Sequence, residues 1–198
     1  MAVRLGEVAF VLTGLVLTRA QGAAEGAVEA PVIGLRDVAE ALASRSDLDR
    51  VKVSPRIAER AAVAIGDVVV TARGANVRAV VIDAEHAGAV IGPNLLVVRP
   101  DPSRLVASVL AAYLRLPGVQ AALLSARAGT AMPSLTVKDV SRLELVLPSL
   151  KRQRDLAQIL DLAGGYRSAL LRAVESRDRV SAELVSMTLG PVRGAHHG

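Results

Sequence analysis

The centre of the chain reads Gly66-Asp67-Val68-Val69-Val70-Thr71-Ala72-Arg73-Gly74-Ala75-Asn76-Val77-Arg78-Ala79-Val80-Val81-Ile82. Two runs rich in β-branched residues, 68–70 and 78–82, flank a turn with Gly74, and this pattern predicts a β-hairpin. A second pair of apolar runs, residues 89–91 and 95–99, predicts two further strands. We therefore expect a sheet in the middle of the chain.

Strand and helix patterns lie on both sides of this centre. The apolar run over residues 5–12 predicts a strand, and residues 143–147 predict the last one. Ser103 is a candidate N-cap for a helix over residues 104–116, which Pro117 would stop, and a short helix is expected over residues 119–126. The fold class that follows is mixed α/β (α+β).

The pattern changes after Pro148 to a heptad seam, in which steps of three and four residues alternate. A helix over residues 151–189 would be about 58 Å long at 1.5 Å per residue, too long to pack wholly on a domain of roughly 150 residues. Part of the seam would then meet a helix of a partner chain; the alternative is a helix folded back on its own domain. The seam residues are Leu156, Ile159, Ala163, Tyr166, Leu170, Ala173, Arg177, Val180, Leu184 and Met187.

A pair of glycines, Gly164-Gly165, interrupts the predicted helix. Two glycines in a helix interior cost about 2 kcal/mol relative to two alanines. The pair therefore predicts either a bend or a close helix crossing.

Composition excludes several classes of function. The 198 residues include 24 Lys and Arg against 19 Asp and Glu, a net charge of +5, and 21 of the basic residues are Arg. The chain has no Cys, which excludes disulfides, thiolate nucleophiles and Cys-based zinc sites. Aromatic residues make up 2%, which argues against single-strand binding by base stacking. No run of about 18 apolar residues is present, so we expect a cytoplasmic protein without a membrane span.

Catalytic and metal-binding patterns are missing from the sequence. His86 lies beside Asp83 and Glu85, where a surface turn is a better interpretation than a catalytic group. Neither a Gly-rich phosphate loop nor a metal-ligand spacing is found, so we predict no catalytic residue, no metal and no cofactor. Asp67 and Arg73 are expected to form a local ion pair.

The order of these motifs resembles the target-recognition domain of type I restriction-modification specificity (S) subunits. The resemblance covers roughly residues 3–189. It departs from the family at Lys151-Arg152, where acidic residues are usual, at the glycine pair, and in length, since the chain has room for one recognition domain and one long helix. The motifs are Gly66 to Gly74, Pro93-Asn94-Leu95-Leu96-Val97-Val98-Arg99-Pro100, Ala111-Ala112-Tyr113-Leu114, Met132-Pro133-Ser134-Leu135-Thr136-Val137-Lys138-Asp139-Val140, Leu143-Glu144-Leu145-Val146-Leu147-Pro148, and Gln153 with Leu156-Ala157 and Ile159-Leu160-Asp161.

The resemblance implies a target-recognition domain over residues 1–149, followed by a long C-terminal coiled-coil helix over residues 150–190 and a flexible tail over residues 191–198. Such a chain is non-catalytic and reads half of a bipartite site in double-stranded DNA. Its helix serves dimerisation, with itself or a second specificity chain, and docks the DNA methyltransferase (M) subunits, with a restriction (R) subunit where one is present. The alternative is a truncated or degenerate specificity chain that acts only as a coiled-coil interaction module.

Candidate DNA-binding residues are those whose side chains suit base edges or phosphates. Arg73, Asn76 and Arg78 lie in or beside the Gly74 turn; the alternative is a solvated hairpin turn. The further candidates are Arg45, Arg50 and Lys52 on a charged loop, Arg19 and Gln21 after the first turn, and Ser134, Thr136 and Lys138 in the closing loop, where Ser134 or Thr136 could instead cap a short helix.

Overall fold

The computed structural model describes residues 2–15, 26–38, 42–126 and 134–189. Within these ranges the strands are β1 (Ala2–Arg4), β2 (Ala9–Thr13), β3 (Val28–Ile33), β4 (Asp49–Val53), β5 (Val68–Thr71), β6 (Ala79–Val81), β7 (Val90–Ile91), β8 (Leu95–Pro100) and β9 (Glu144–Val146). The α-helices are α1 (Pro55–Ala61), α2 (Ala107–Leu114), α3 (Pro117–Ala126), α4 (Val137–Ser141) and α5 (Leu150–Leu189).

A four-stranded antiparallel sheet in the order β2-β8-β5-β6 forms the centre of the fold. The predicted hairpin is present, with Val68 opposite Val81 and Val70 opposite Ala79. Side chains of a strand alternate between the two faces of a sheet, and here both faces are buried: Val68 and Val70 enter one apolar cluster and Val69 enters another. Burial on both faces explains why these strands are continuous apolar runs.

Different layers cover the two faces. Helices α2 and α3 contribute Leu110, Leu114 and Leu123 to the first cluster. Ile33 of β3 and Ile91 of β7 belong to the second cluster. Strand β3 pairs antiparallel with β4 and parallel with β7, and β1 pairs separately with β9. The central sheet therefore lies between helices and a second, smaller sheet.

Three sequence expectations are corrected by local geometry. The apolar run over residues 5–12 is divided into a 3-10 turn, Leu5–Glu7, and strand β2. Ser103 is not the N-cap of α2, because the Asp101 carboxylate accepts its amide and hydroxyl at 2.9 and 2.7 Å and the helix starts at Ala107. Pro117 begins α3 instead of only ending α2, as suits a residue without an amide donor.

Helix α5 runs for 40 residues without a break at the glycine pair. The chain divides into two compact units after Ala157, so the first turns of α5 belong to one unit and the rest of the helix to the other. Its first turns belong to the first unit because Gln153 is buried, accepting from the Val106 amide at 2.9 Å and donating to the Arg104 carbonyl at 2.9 Å. All ten seam residues are exposed in the single chain, and pairing of the seam in a coiled coil stays a prediction. The predicted tail, residues 191–198, lies outside the described residues.

No single helix in the described ranges is long and apolar enough to cross a membrane. Helices α2 and α3 pass that test only together, as a pair bent by 71°.

Candidate nucleic-acid interface

The turn that joins β5 to β6, residues 72–78, is closed by hydrogen bonds at its base. The Thr71 amide donates to the Arg78 carbonyl at 3.0 Å, and the Arg78 amide donates to Thr71 Oγ1 at 2.9 Å. Gly74 has a φ of +112°, a backbone conformation that residues other than glycine rarely adopt. We call residues 72–78 the recognition turn.

The recognition turn brings three of the predicted DNA-binding residues to one cleft. Arg73, Asn76 and Arg78 line a cleft of about 260 Å³ together with Thr71, Gly74, Ala75 and, from the loop after β3, Leu35. Asn76 and Arg78 are exposed, and Val77 between them is buried. None of these lining residues is acidic, so the cleft is positively charged. We call it the recognition cleft.

Arg73 does not form the ion pair with Asp67 that the sequence suggested, so that expectation is wrong. Asp67, which is 1% exposed, is bound instead by Arg99, whose Nε and Nη2 each donate to its carboxylate at 2.7 Å. Arg73 is half-buried, and no acceptor within the described part of the chain reaches its buried Nε. Buried donors are normally satisfied, so Arg73 Nε is an exception within the described residues.

Hydrogen bonds from three separate segments hold the recognition turn. The Ala72 amide donates to the Asn94 carbonyl at 2.8 Å, and the Leu135 amide donates to the Ala72 carbonyl at 2.9 Å. The side chain of Gln120 in α3 bonds both the amide and the carbonyl of Val77. Sequence reasoning missed Gln120, whose one signal is that it is, with Ser125, one of two polar side chains in a mostly apolar helix.

The closing loop lies partly beside this turn. Ser134 directly precedes Leu135 and so lies near the base of the recognition turn. Thr136 caps α4, as the alternative interpretation allowed: its Oγ1 accepts from the Asp139 amide and the Asp139 carboxylate accepts from its amide. Lys138 is exposed on α4.

The other basic candidates are not among the residues that line the cleft. Arg45 is half-buried, and its Nη1 donates to the carbonyls of Glu85 and Ala87 at 2.9 and 3.0 Å. Arg50 and Lys52 are exposed on β4, where Arg50 forms a surface ion pair with Glu29. Arg19 and Gln21 lie outside the described residues.

His86 contacts the segment that precedes Arg45, through the carbonyl of Ala43. The residue lies in a turn, but it is 4% exposed and therefore not on the surface. Its Nδ1 lies 2.6 Å from the Asp83 carboxylate and its Nε2 lies 2.8 Å from the Ala43 carbonyl. Because both partners are acceptors, both hydrogen bonds can form together only when both ring nitrogens carry protons, so these contacts favour the imidazolium form.

The charge of His86 follows from these partners. Burial opposes the charge, but the hydrogen bonds to Asp83 and Ala43 and the attraction of Asp83 and Glu85 outweigh it and raise the pKa of His86 above its ordinary 6.5. Burial also opposes the charge of Asp83, and the His86 hydrogen bonds nevertheless lower the pKa of that carboxyl. The carboxylate oxygens of Asp83 and Glu85 and a ring nitrogen of His86 lie within 4.8 Å of one another, but both ring nitrogens of His86 are already bonded, to Asp83 and to Ala43.

Solved structures of type I restriction-modification (R-M) proteins share this architecture. A chain of a type I R-M system, from a structure describing its complex assembly and conformational transition, superposes with a TM-score of 0.62 at 22% identity, over 93% of this chain and 43% of its own length. The HsdS subunit from Thermoanaerobacter tengcongensis gives 0.58 at 23% identity, over 87% and 39%. The S subunit from M. genitalium gives 0.54 at 16% identity, over 90% and 44%.

The chain has the fold of a type I specificity subunit. The resemblance read from the sequence motifs is thereby confirmed in fold. The chain spans about two fifths of the length of these specificity-subunit structures. No protein-family model and no curated protein matches the sequence itself.

Proposed function

We propose that this chain is the DNA sequence-specificity subunit of a type I-like restriction-modification system. In this role one copy reads half of a bipartite site in double-stranded DNA and directs methyltransferase subunits, and a nuclease subunit where one is present, to that site. In this proposal the chain itself is non-catalytic and acts in the cytoplasm. The observation that carries the proposal is the recognition cleft, in which Arg73, Asn76 and Arg78 converge without a carboxylate.

These residue types match the chemistry of a base edge. Arg presents a fork of donors to guanine O6 and N7, and Asn presents a donor and an acceptor to adenine N6 and N7. The same Arg side chains attract the phosphate backbone, and the net charge of +5 adds to this attraction. Arg50, Lys52, Ser134 and Lys138 are further candidates for phosphate contacts in this proposal.

The seam of α5 supports assembly with other chains. Tyr166 is 74% exposed, Leu170 is 55% exposed and Met187 is 83% exposed in the single chain. Large exposed apolar areas mark interaction surfaces. We propose that the seam pairs with a second copy or another specificity chain, and that the helix docks the methyltransferase subunits.

Salt dependence of duplex binding tests the proposal. The chain, alone and with the methyltransferase subunits of its host, is titrated with a fluorescent random-sequence DNA duplex at several salt concentrations. We expect the logarithm of the binding constant to fall linearly with the logarithm of salt concentration, and Arg73→Met or Arg78→Met to reduce the slope by about 1 if the side chain contacts a phosphate.

Arg56→Met is the matched control, because Arg56 is exposed on α1 and does not line the recognition cleft. Its slope should stay close to that of the wild-type chain. Equal losses in all three variants would contradict a role for the cleft. Binding to the methyltransferase without salt-sensitive duplex binding would favour the second candidate, an interaction module, which the exposed seam alone would support.

A further inference from the structure

Gln120 holds the recognition turn through three hydrogen bonds. Its Oε1 accepts from the Val77 amide at 2.9 Å, and its Nε2 donates to the Val77 carbonyl at 2.7 Å and to the Leu114 carbonyl at 2.6 Å. The amide group therefore pairs with both backbone polar groups of Val77, much as a neighbouring strand would. The third bond fixes the Gln120 side chain to the end of helix α2.

Val77 lies between the two exposed polar side chains of the turn. It is 3% exposed, and Asn76 and Arg78 on either side of it are exposed. A bidentate contact to a base requires donor and acceptor distances correct to a few tenths of an ångström. A shift of the Val77 backbone would move both neighbours out of such a geometry without removing either charge.

We propose that Gln120 is a positioning residue for sequence discrimination: it fixes the backbone of Val77 and thereby the directions of Asn76 and Arg78. Gln120 contacts no DNA in this assignment. The inference rests on the proposed function, and it predicts that loss of Gln120 reduces discrimination between sequences while the charge-driven affinity for any duplex is kept.

The chain offers a matched control in Gln153. Its Oε1 also accepts from a backbone amide, that of Val106 at 2.9 Å, and its Nε2 also donates to two carbonyls, those of Arg104 at 2.9 Å and Pro148 at 3.0 Å. Removal of either Gln side chain thus deletes the same kind of bonds. The carbonyls that Gln153 binds do not belong to the recognition turn.

The experiment compares the full-length wild-type chain with Gln120→Ala, Gln120→Met and Gln153→Ala, in the presence of the methyltransferase subunits if they are needed for binding. Each protein selects duplexes from a randomised DNA library, and the sequence preference within the recovered half-site is scored separately from affinity for the unselected library. Amide hydrogen exchange at Val77 is measured on the same samples, and thermal unfolding shows that each variant is folded.

The expected result separates the two glutamines. In both Gln120 variants the Val77 amide hydrogen should exchange roughly fivefold to tenfold faster than in the wild-type chain. Their discrimination between half-site sequences should fall roughly tenfold, and their affinity for the unselected library should stay unchanged. Gln153→Ala should lower the unfolding temperature and leave the half-site preference as in the wild-type chain.

Three results would overturn the inference in distinguishable ways. If the wild-type chain selects a motif and the Gln120 variants select it with equal preference, the positioning role is wrong and the proposed function stands. If Gln120→Ala and Gln153→Ala reduce preference equally, the effect is one of general stability and the positioning role is again wrong. If the wild-type chain recovers no motif, the proposed function fails and the positioning role fails with it.

Discussion

We compare Arg99→Met with Arg73→Met, because Arg99 balances the charge of the buried Asp67 whereas Arg73 lines the recognition cleft. Arg99→Met removes two charge-assisted hydrogen bonds of 2.7 Å to the Asp67 carboxylate. Arg73→Met removes a side chain whose Nε has no acceptor in the described part of the chain. Methionine keeps much of the apolar stem in both cases, so the comparison isolates the guanidinium.

The structure sets the expected magnitudes. Without Arg99 the Asp67 carboxylate, 1% exposed, keeps one side-chain hydrogen bond, from the Ala64 amide at 2.8 Å. Removing one member of a buried pair costs about 3–5 kcal/mol. The Arg99 side chain is 45% exposed, so water can partly replace it, and we expect about 3 kcal/mol, at the lower end of that range. For Arg73→Met we expect a change within about 0.5 kcal/mol.

Urea unfolding followed by circular dichroism measures both changes, since the chain has no Trp to serve as a fluorescent probe. A loss of about 3 kcal/mol would also lower the unfolding temperature by roughly 6–12 °C in a protein of this size. Equal destabilisation by the two variants would refute the reasoning, because it would mean that Arg73 also balances a buried charge.

Three further predictions concern stability. The pKa of His86 is raised by its partners, so the stability that its charge contributes is complete below pH 6.5 and is lost as pH rises through the pKa of the folded state. The urea midpoint should therefore fall over that pH interval. A pH profile equally steep in His86→Gln would contradict this. Thr136→Ala should cost about 1 kcal/mol by removing the cap of α4, and an unchanged unfolding temperature would exclude the cap. Gly164→Ala and Gly165→Ala should each stabilise α5 by about 0.8–1 kcal/mol in calorimetry, because an added Cβ meets nothing within 4 Å; destabilisation would indicate the close helix crossing instead.

The sequence predicted those parts of the fold that depend on local patterns. The hairpin over residues 68–82 was predictable because β-branched residues flank a glycine turn, and strand β8 was predictable because its run of apolar residues is buried on both faces. The same turn chemistry placed Arg73, Asn76 and Arg78 together, and the cleft follows from it.

Features that depend on distant partners were not predictable. Asp67 meets Arg99, 32 residues away, only because β5 and β8 pair in one particular register. Gln120 and Val77 are 43 residues apart, and no local pattern links them. The burial of His86 likewise depends on Ala43, which belongs to a loop on another part of the chain.

A genome-wide map of methylated bases in the host, with and without this gene, tests the central claim most directly. We expect deletion to abolish methylation at one bipartite motif, and the wild-type gene to restore it while a gene encoding both Arg73→Met and Arg78→Met does not. An inverted repeat as the lost motif would indicate a symmetric pair of these chains, and an asymmetric motif would indicate a second, different recognition domain. An unchanged map in cells that express the methyltransferase would contradict the account.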